Sequence, residues 1–328
     1  MLDRLLADPR IAICEISGTS AGAMNAVVLA DGWMQGGREG ARLALARFWR
    51  SVSDAARLSP LRRTPLDQWF GRYSLDYSPA YVGFDLLTRI FSPYDLNPLG
   101  INPLRGLLGD TVDFDRVRSC RDINVHVAAT NVRTGRSRVF SGDAVTLEAV
   151  LASACLPQLF PAVEIEGEYY WDGGYSGNPE LLPLVESRRA ADIIVVQINP
   201  ILRRDVPRRA REIINRINEI SFNTSLVKDL RAIALTQRLN RAEGRVGDIA
   251  ETTYLNLIHT EADVQDLSAS SKLNPEWAYL QLLFERGRRW ADEWLAANFE
   301  ALGQRSTLDL DDLFCDRPRS ATMTPLEE

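Results

Sequence analysis

Residues 11–31, IAICEISGTSAGAMNAVVLAD, constrain this chain more than any other stretch. Ile11 to Ile16 is a short, mostly apolar run, the pattern of a buried strand. Gly18-Thr19-Ser20-Ala21-Gly22 follows, a G-x-S-x-G pentapeptide. From Ala21 to Ala30 the chain is rich in Ala, Met, Val and Leu, which favours a helix. Strand, tight turn and helix in that order present a serine at a sharp bend. Gly18 and Gly22 let the backbone turn and keep neighbours clear of Ser20. The N–H groups and positive end of the following helix point at the same place. The pentapeptide alone is a weak signal, because any Gly/Ser turn between a strand and a helix produces it. The flanking elements and the small Thr19 and Ala21 give it weight.

A second stretch stands out at Trp171-Asp172-Gly173-Gly174-Tyr175-Ser176-Gly177-Asn178-Pro179. Asp172 follows a predicted strand, Glu168 to Trp171. Gly173 and Gly174 allow unusual backbone angles and close approach of other chain segments. Taken alone, Asp-Gly-Gly is a common turn.

The rest of the chain alternates strand-like and helical runs. Strands are predicted at 11–16, 122–130, 136–140, 168–171, 192–198 and 253–258. Helices are predicted at 21–30, 38–51, 146–155, 179–188, 210–240 and 275–301, and Met1 to Ala7 also reads as helical. This alternation predicts an α/β fold of three layers, a mostly parallel central sheet with helices on both faces. At 328 residues and 45% hydrophobic the chain can bury one large core. We expect one domain over residues 1–305 and an acidic, mobile tail over 306–328.

Within that domain, residues 48–110 read as a cap or lid. Phe48 to Tyr94 holds ten of the chain's 27 aromatics, with Pro60, Pro65, Pro79 and Pro93 interrupting regular structure. An aromatic lid over an acyl-chain pocket that touches membrane, and a subdomain packing its own small core, fit equally well. Arg203, Arg204, Arg208, Arg209 and Arg211 form a basic run that could meet anionic headgroups; such runs are more often solvated or paired with local acids.

Other classes are excluded or disfavoured. The net charge of −6 gives no reason to expect nucleic acid as a partner. Cys14, Cys120, Cys155 and Cys315 are scattered, which suits free thiols in a reducing, cytoplasmic setting and argues against a structural metal site. No apolar run approaches a membrane-spanning length.

Together, the G-x-S-x-G at Ser20 and the D-G-G at Asp172 resemble the patatin-like phospholipase family. Ala152-Ser153-Ala154-Cys155-Leu156-Pro157-Gln158-Leu159-Phe160-Pro161 is similar to that family's S-x-x-x-P-x-x-F-P stretch, and Gly174 to Pro179 to its G-x-x-x-N-P. The resemblance covers about residues 1–200. It implies a serine acyl hydrolase acting on lipid or other acyl esters, with Ser20 as nucleophile and Asp172 as general base. Gly18 and Gly22 would support the elbow, and Gly173 and Gly174 the base loop. The implied chemistry calls for no cofactor and no metal. Peripheral membrane contact and homo-oligomerisation are compatible with it.

Composition agrees with a two-residue centre, because a Ser-His-Asp triad needs a histidine and only His126 and His259 are present. Each reads as structural, yet Ser20, Asp172, His259 is the chain order of an α/β-hydrolase triad, so a His259-dependent esterase or acyltransferase stays open. So does a non-catalytic protein of the same fold. The family carries a G-G-G-x-[RK]-G segment that supplies oxyanion donors upstream of the elbow. Here nineteen residues precede Ser20, and the first glycine is Gly18. The expectation is that this form lacks those donors and the strand before them, has weak activity, and associates through an open sheet edge.

Overall fold

The computed structural model describes residues 1–58, 63, 73, 75, 78–201, 203, 206–242, 253–259, 271 and 274–309. The expectations for Pro60, Pro65, Trp69, Phe70, Tyr77, Arg204, Cys315 and residues 310–328 lie outside the described residues, as do the side chains of Phe84 and Arg211.

Helix α1 (Leu2–Ala7) leads to strand β1 (Glu15–Gly18) and then to helix α2 (Ala21–Ala55). Strand β1 begins four residues later than the apolar run suggests. Ile11 and Ile13 are held by packing against Leu5, Ile258 and Leu295 rather than by a strand ladder, and that contact explains an apolar pattern without a strand. The two helices expected at 21–30 and 38–51 form one run, interrupted at Gly36 and Gly37, whose φ values are −165° and 60°. Ala23, Ala26, Val27 and Ala30 are all fully buried on the face that meets the sheet.

Among the described residues four α-helices come next, each opened by a capping side chain: α3 (Pro79–Ile90), α4 (Pro93–Leu96), α5 (Pro103–Thr111) and α6 (Phe114–Ser119). Ser78, Ser92, Asn102 and Asp113 accept hydrogen bonds from the first-turn N–H groups, and proline begins the first three. These helices, with residues 48–58, are described parts of the segment read as a cap. Strands β2 (Asn124–Asn131) and β3 (Ser137–Ser141), helix α7 (Leu147–Ser153), and strands β4 (Val163–Ile165) and β5 (Glu168–Asp172) complete the first half. The β4–β5 turn uses Glu166 and Gly167 with φ of 54° and 81°, a tight two-residue hairpin that sequence reading did not register.

β1 and β2 are parallel, whereas β2–β3, β2–β5 and β4–β5 are antiparallel. The expected α/β architecture therefore contains a mixed sheet. It is parallel between β1 and β2, which α2 and the helices after it separate; β2–β3 and β4–β5 are antiparallel through short connections, and β2–β5 is antiparallel across the longer connection through β3, α7 and β4. Val127, Ala129, Phe140 and Tyr170 belong to the main core with α2 and α7. Phe140 and Tyr170 meet edge to face at 5.5 Å, a geometry that adds about 0.5–1.5 kcal/mol beyond burial.

After helix α8 (Leu182–Ser187), strand β6 (Asp192–Val196) pairs in parallel with β7 (Tyr254–Ile258) as a separate two-stranded sheet. Helix α9 (Ala210–Ala242) covers it with Leu226, Leu230 and Ile233, and helix α10 (Trp277–Asn298) packs beside α1. The tail does not begin at 306. Ser306 accepts the Leu255 N–H, Leu308 donates its N–H to the Leu255 carbonyl, and the Leu308 side chain is buried, so this stretch is docked along β7. Among the described residues no helix is long and apolar enough to cross a membrane.

Candidate active site

The register of β2 brings the two sequence signals together. His126 and Val127 pair with β3 on one side and with Ser17 and Gly18 of β1 on the other. Ala129 and Thr130 pair with β3 on that same first side and with Asp172 and Trp171 of β5 on the other. A strand has only two edges, so β1 and β5 share one edge of β2. They run toward each other. Gly18 stops opposite Val127 and Asp172 stops opposite Ala129, leaving a single position, Ala128, between their ends.

That junction leaves no room for side chains on its glycines. A Cβ at Gly173 would lie 2.2 Å from the Ala128 carbonyl oxygen and 2.9 Å from the Thr19 methyl. At Gly18 it would lie 2.4 Å from the Gly22 backbone, the cost of turning from strand to helix within two residues. Gly22 itself faces open space, with its N–H spent on the Thr19 carbonyl at 2.8 Å.

Ser20 occupies the bend with φ 55° and ψ −120°, a backbone conformation that strains any residue but glycine. Its surroundings hold it there. The Ser20 N–H donates to Ser153 Oγ at 2.9 Å, from the last turn of α7, and Ser153 is fully buried. Thr19 Oγ1 donates to the Gly177 carbonyl at 2.8 Å, and Ser17 Oγ to the Glu180 carbonyl at 2.7 Å. The turn that carries Ser20 is thus tied to the loop after Asp172 at two points. Ser153, the serine of the S-x-x-x-P-x-x-F-P stretch, anchors the elbow through this bond, a task no local pattern announces.

Asp172 is 2% exposed. Burial pushes its carboxyl above the ordinary range, opposed by the Gly174 N–H, which donates to Oδ1 at 2.8 Å, and by the Ser20 hydroxyl hydrogen bond. Its backbone is fixed as well: the Asp172 N–H donates to the Cys155 carbonyl, and Thr130 Oγ1 donates to the Asp172 carbonyl, each at 2.8 Å. Phe222 of α9 lies over Gly174, where an added Cβ would meet its ring at 2.4 Å, and it packs on Tyr175 with ring centres 5.5 Å apart. Phe222 lies some fifty residues beyond the D-G-G, and no local pattern announces it.

The remaining candidates fall elsewhere. His126 sits on β2 with Nδ1 2.6 Å from Ser141 Oγ and Nε2 3.8 Å from Glu15. Burial lowers its pKa, and Glu15 opposes that shift. His259 is exposed just past β7 in the second sheet. Among the described residues, neither histidine contacts Ser20 or Asp172. The Cys155 thiol is buried and pushed up to about 12, which leaves it unreactive. In and beside the basic run, Arg203 and Arg216 both bind Glu219, the Arg209 side chain lies 3.8 Å from Glu212, and Glu212 accepts the backbone N–H groups of Arg208 and Arg209. Among the described residues there is no cluster of three or more His, Cys, Asp or Glu side chains able to hold a metal ion.

A strained serine, a buried carboxylate against its hydroxyl, and the open first turn of a long helix can together support attack on a carbonyl carbon. A search of curated proteins returns no match. The family model described as patatin-like phospholipase matches residues 1–185, more than half of the chain and a span that includes both Ser20 and Asp172. The chain belongs to the patatin-like phospholipase family.

Proposed function

We propose that this protein hydrolyses carboxylic acyl esters of lipids through a Ser20–Asp172 dyad. Membership of the family supports lipid acyl hydrolysis in general. The observation that supports the finer reading is the head-to-head meeting of β1 and β5 on one edge of β2, which brings the end of β1, two residues before Ser20, to within one position of Asp172 at the end of β5.

The Asp172 carboxylate takes the hydroxyl proton as Ser20 Oγ forms its bond to the ester carbonyl carbon. Collapse of the tetrahedral intermediate expels the alcohol, which leaves with the proton from Asp172, and Ser20 carries the acyl group. Water then attacks the acyl-enzyme, Asp172 again accepts the proton, and the fatty acid departs as Ser20 recovers its own. The raised pKa of Asp172 makes it a stronger base than a solvated aspartate. For the oxyanion, the Ala21 N–H is the donor the elbow offers: it opens α2, where no intrahelical acceptor exists, and Ala21 is exposed. The Gly22 and Ser20 N–H groups are committed to Thr19 and Ser153.

Hydrolysis of p-nitrophenyl esters of increasing acyl length tests the reading. Wild type should turn over, with medium chains favoured over acetyl in kcat/KM, since each buried methylene contributes about 0.8 kcal/mol. Asp172→Asn should retain its fold and lose turnover. Full activity in Asp172→Asn, or dependence on His259, would reject the dyad.

A further inference from the structure

We propose that helix α9 belongs to the reaction machinery: one of its faces clamps the loop that follows Asp172, and Phe222 on that face is the positioning residue that keeps water from the Asp172 carboxylate. The inference rests on the dyad reading above and deepens it, because it names what sets the strength of that base. Helix α9 lies beyond residues 1–185, the span that the family model matches.

The clamp is built residue by residue. Phe222, Ser225, Leu226 and Asp229 recur at spacings of three, one and three, which places them on one face of α9. Each of them meets the stretch 174–181. The Phe222 ring lies over Gly174 and packs on Tyr175 with ring centres 5.5 Å apart. Asn178 donates its backbone N–H to Ser225 Oγ at 3.2 Å and its Nδ2 to the Phe222 carbonyl at 3.5 Å. Leu226 shares a buried cluster with Leu181, and the Leu181 N–H donates to the Asp229 carboxylate. The same loop holds the elbow through the Gly177 and Glu180 carbonyls. It therefore links α9 to the turn that bears Ser20.

Phe222 does more than hold the loop. A Cβ on Gly174 would lie 2.4 Å from the Phe222 ring and 3.0 Å from Asp172 Oδ1, so only the side chain that Gly174 lacks separates ring from carboxylate. An apolar ring in that place denies Oδ1 hydration and disfavours its charge. Burial is accordingly the largest influence on the Asp172 carboxyl, and it acts upward. Among the described residues no arginine, lysine or histidine is paired with that carboxylate to offset it. Two titratable groups sense its charge, the Cys155 thiol and the Tyr175 hydroxyl; burial pushes both up, so they stay neutral while Asp172 titrates. On α9, Asp229 is itself raised, by burial and by Glu180.

Two measurements on the full chain read the shield. The first is the pH profile of kcat/KM on a soluble short p-nitrophenyl ester. Wild type should lose activity as pH falls through the raised Asp172 pKa. In Phe222→Ala that limb should move about one pH unit toward acid, with kcat on the plateau down about tenfold. Phe222→Met, which refills the space with apolar atoms, should return the limb to its wild-type place. The second is a thermodynamic cycle that needs no turnover: melting of wild type, Phe222→Ala, Asp172→Asn and the double variant at neutral pH. Asp172→Asn should raise Tm in wild type, and by clearly less in the Phe222→Ala background, where water already reaches the carboxylate.

A Phe222 side chain that merely packs would lower Tm equally with and without Asp172→Asn and leave the acid limb in place; that result overturns the proposal. So does a limb displaced as far in Phe222→Met as in Phe222→Ala. If Phe222→Ala does not fold, Phe222→Gln, which brings a polar end to the same space, is read in its place with the same expectations. If wild type hydrolyses no ester, the dyad reading falls, and the melting cycle alone decides whether Phe222 shields Asp172.

Discussion

Among the described residues two strand pairs are parallel, β1–β2 and β6–β7, and they end very differently. At the carboxyl end of β6 the chain continues through Val196 to Gln197, whose side chain bonds Asn223 of α9, in ordinary backbone conformations. At the carboxyl end of β1 it is forced through Ser20 at φ 55°. The pairing chemistry is the same in both places. What differs is the traffic on β2: its edge receives a second strand, β5, from the opposite direction, and the two strand ends stop one residue apart. A parallel pair supplies a scaffold. The strained serine and the buried aspartate are brought together where another strand is driven into the same edge and cannot pass.

The largest effects should come from breaking the chemistry at that junction while leaving its shape. Asp172→Asn keeps an acceptor for the Gly174 N–H but removes the base, and kcat should fall by about 10²–10⁴-fold. Its stability should move the other way. The carboxyl pKa is raised by burial in the folded protein, so ionised Asp172 opposes folding. That cost is absent below the ordinary carboxylate pKa of about 3.9 and reaches its full value once pH exceeds the raised folded value. Asp172→Asn should therefore melt higher than wild type at neutral pH, with the gain shrinking toward acid. By the same sign, wild-type kcat should decline as pH falls through the raised Asp172 pKa, above the range of an exposed aspartate.

Next in size is a change to the junction's shape. Gly173→Ala drives a Cβ into the Ala128 carbonyl and should cost about 2 kcal/mol or more in denaturant unfolding, lifting the end of β5 away from β2. Gly22→Ala is the control within the same motif. Its Cβ meets nothing within 4 Å, so the helix should gain up to about 1 kcal/mol. Equal destabilisation by the two would contradict the distinction between a packed glycine and an open one.

The second sheet should respond in stability alone. Asn256 is fully buried on β7, where its amide donates to Asp192 at 3.0 Å and accepts from Thr307 Oγ1 at 2.9 Å. Asn256→Ala should cost about 1–3 kcal/mol and leave turnover per folded molecule within about twofold. A large loss of kcat in the folded fraction would mean that the second sheet shapes the centre directly.

The two ends of the candidate site were legible in the sequence as local signals. Ser20 announces itself through glycines two residues to either side, between an apolar run and a helix former, and Asp172 through the two glycines after it. Their meeting was not legible, because it depends on which edge of β2 each strand takes, and residue patterns fix a strand's faces rather than its partners. Ser153 and Phe222 were hidden for a related reason: each acts on a residue more than forty positions away. The strand expected at 11–16 erred because burial against α10 and β7 imitates the apolar run of a central strand. The tail expected from 306 erred because Ser306 and Thr307 look solvated in composition yet serve as hydrogen-bond partners for β7.

The central claim, that Ser20 is activated by Asp172 and by no histidine, is tested most directly by labelling with a fluorophosphonate and locating the adduct by mass spectrometry. Wild type and the His126→Ala and His259→Ala variants should be labelled at Ser20 at similar rates, whereas Asp172→Asn should label far more slowly and Ser20→Ala not at all. Rapid labelling of Asp172→Asn together with a silent His259→Ala would contradict the account and assign the base to His259.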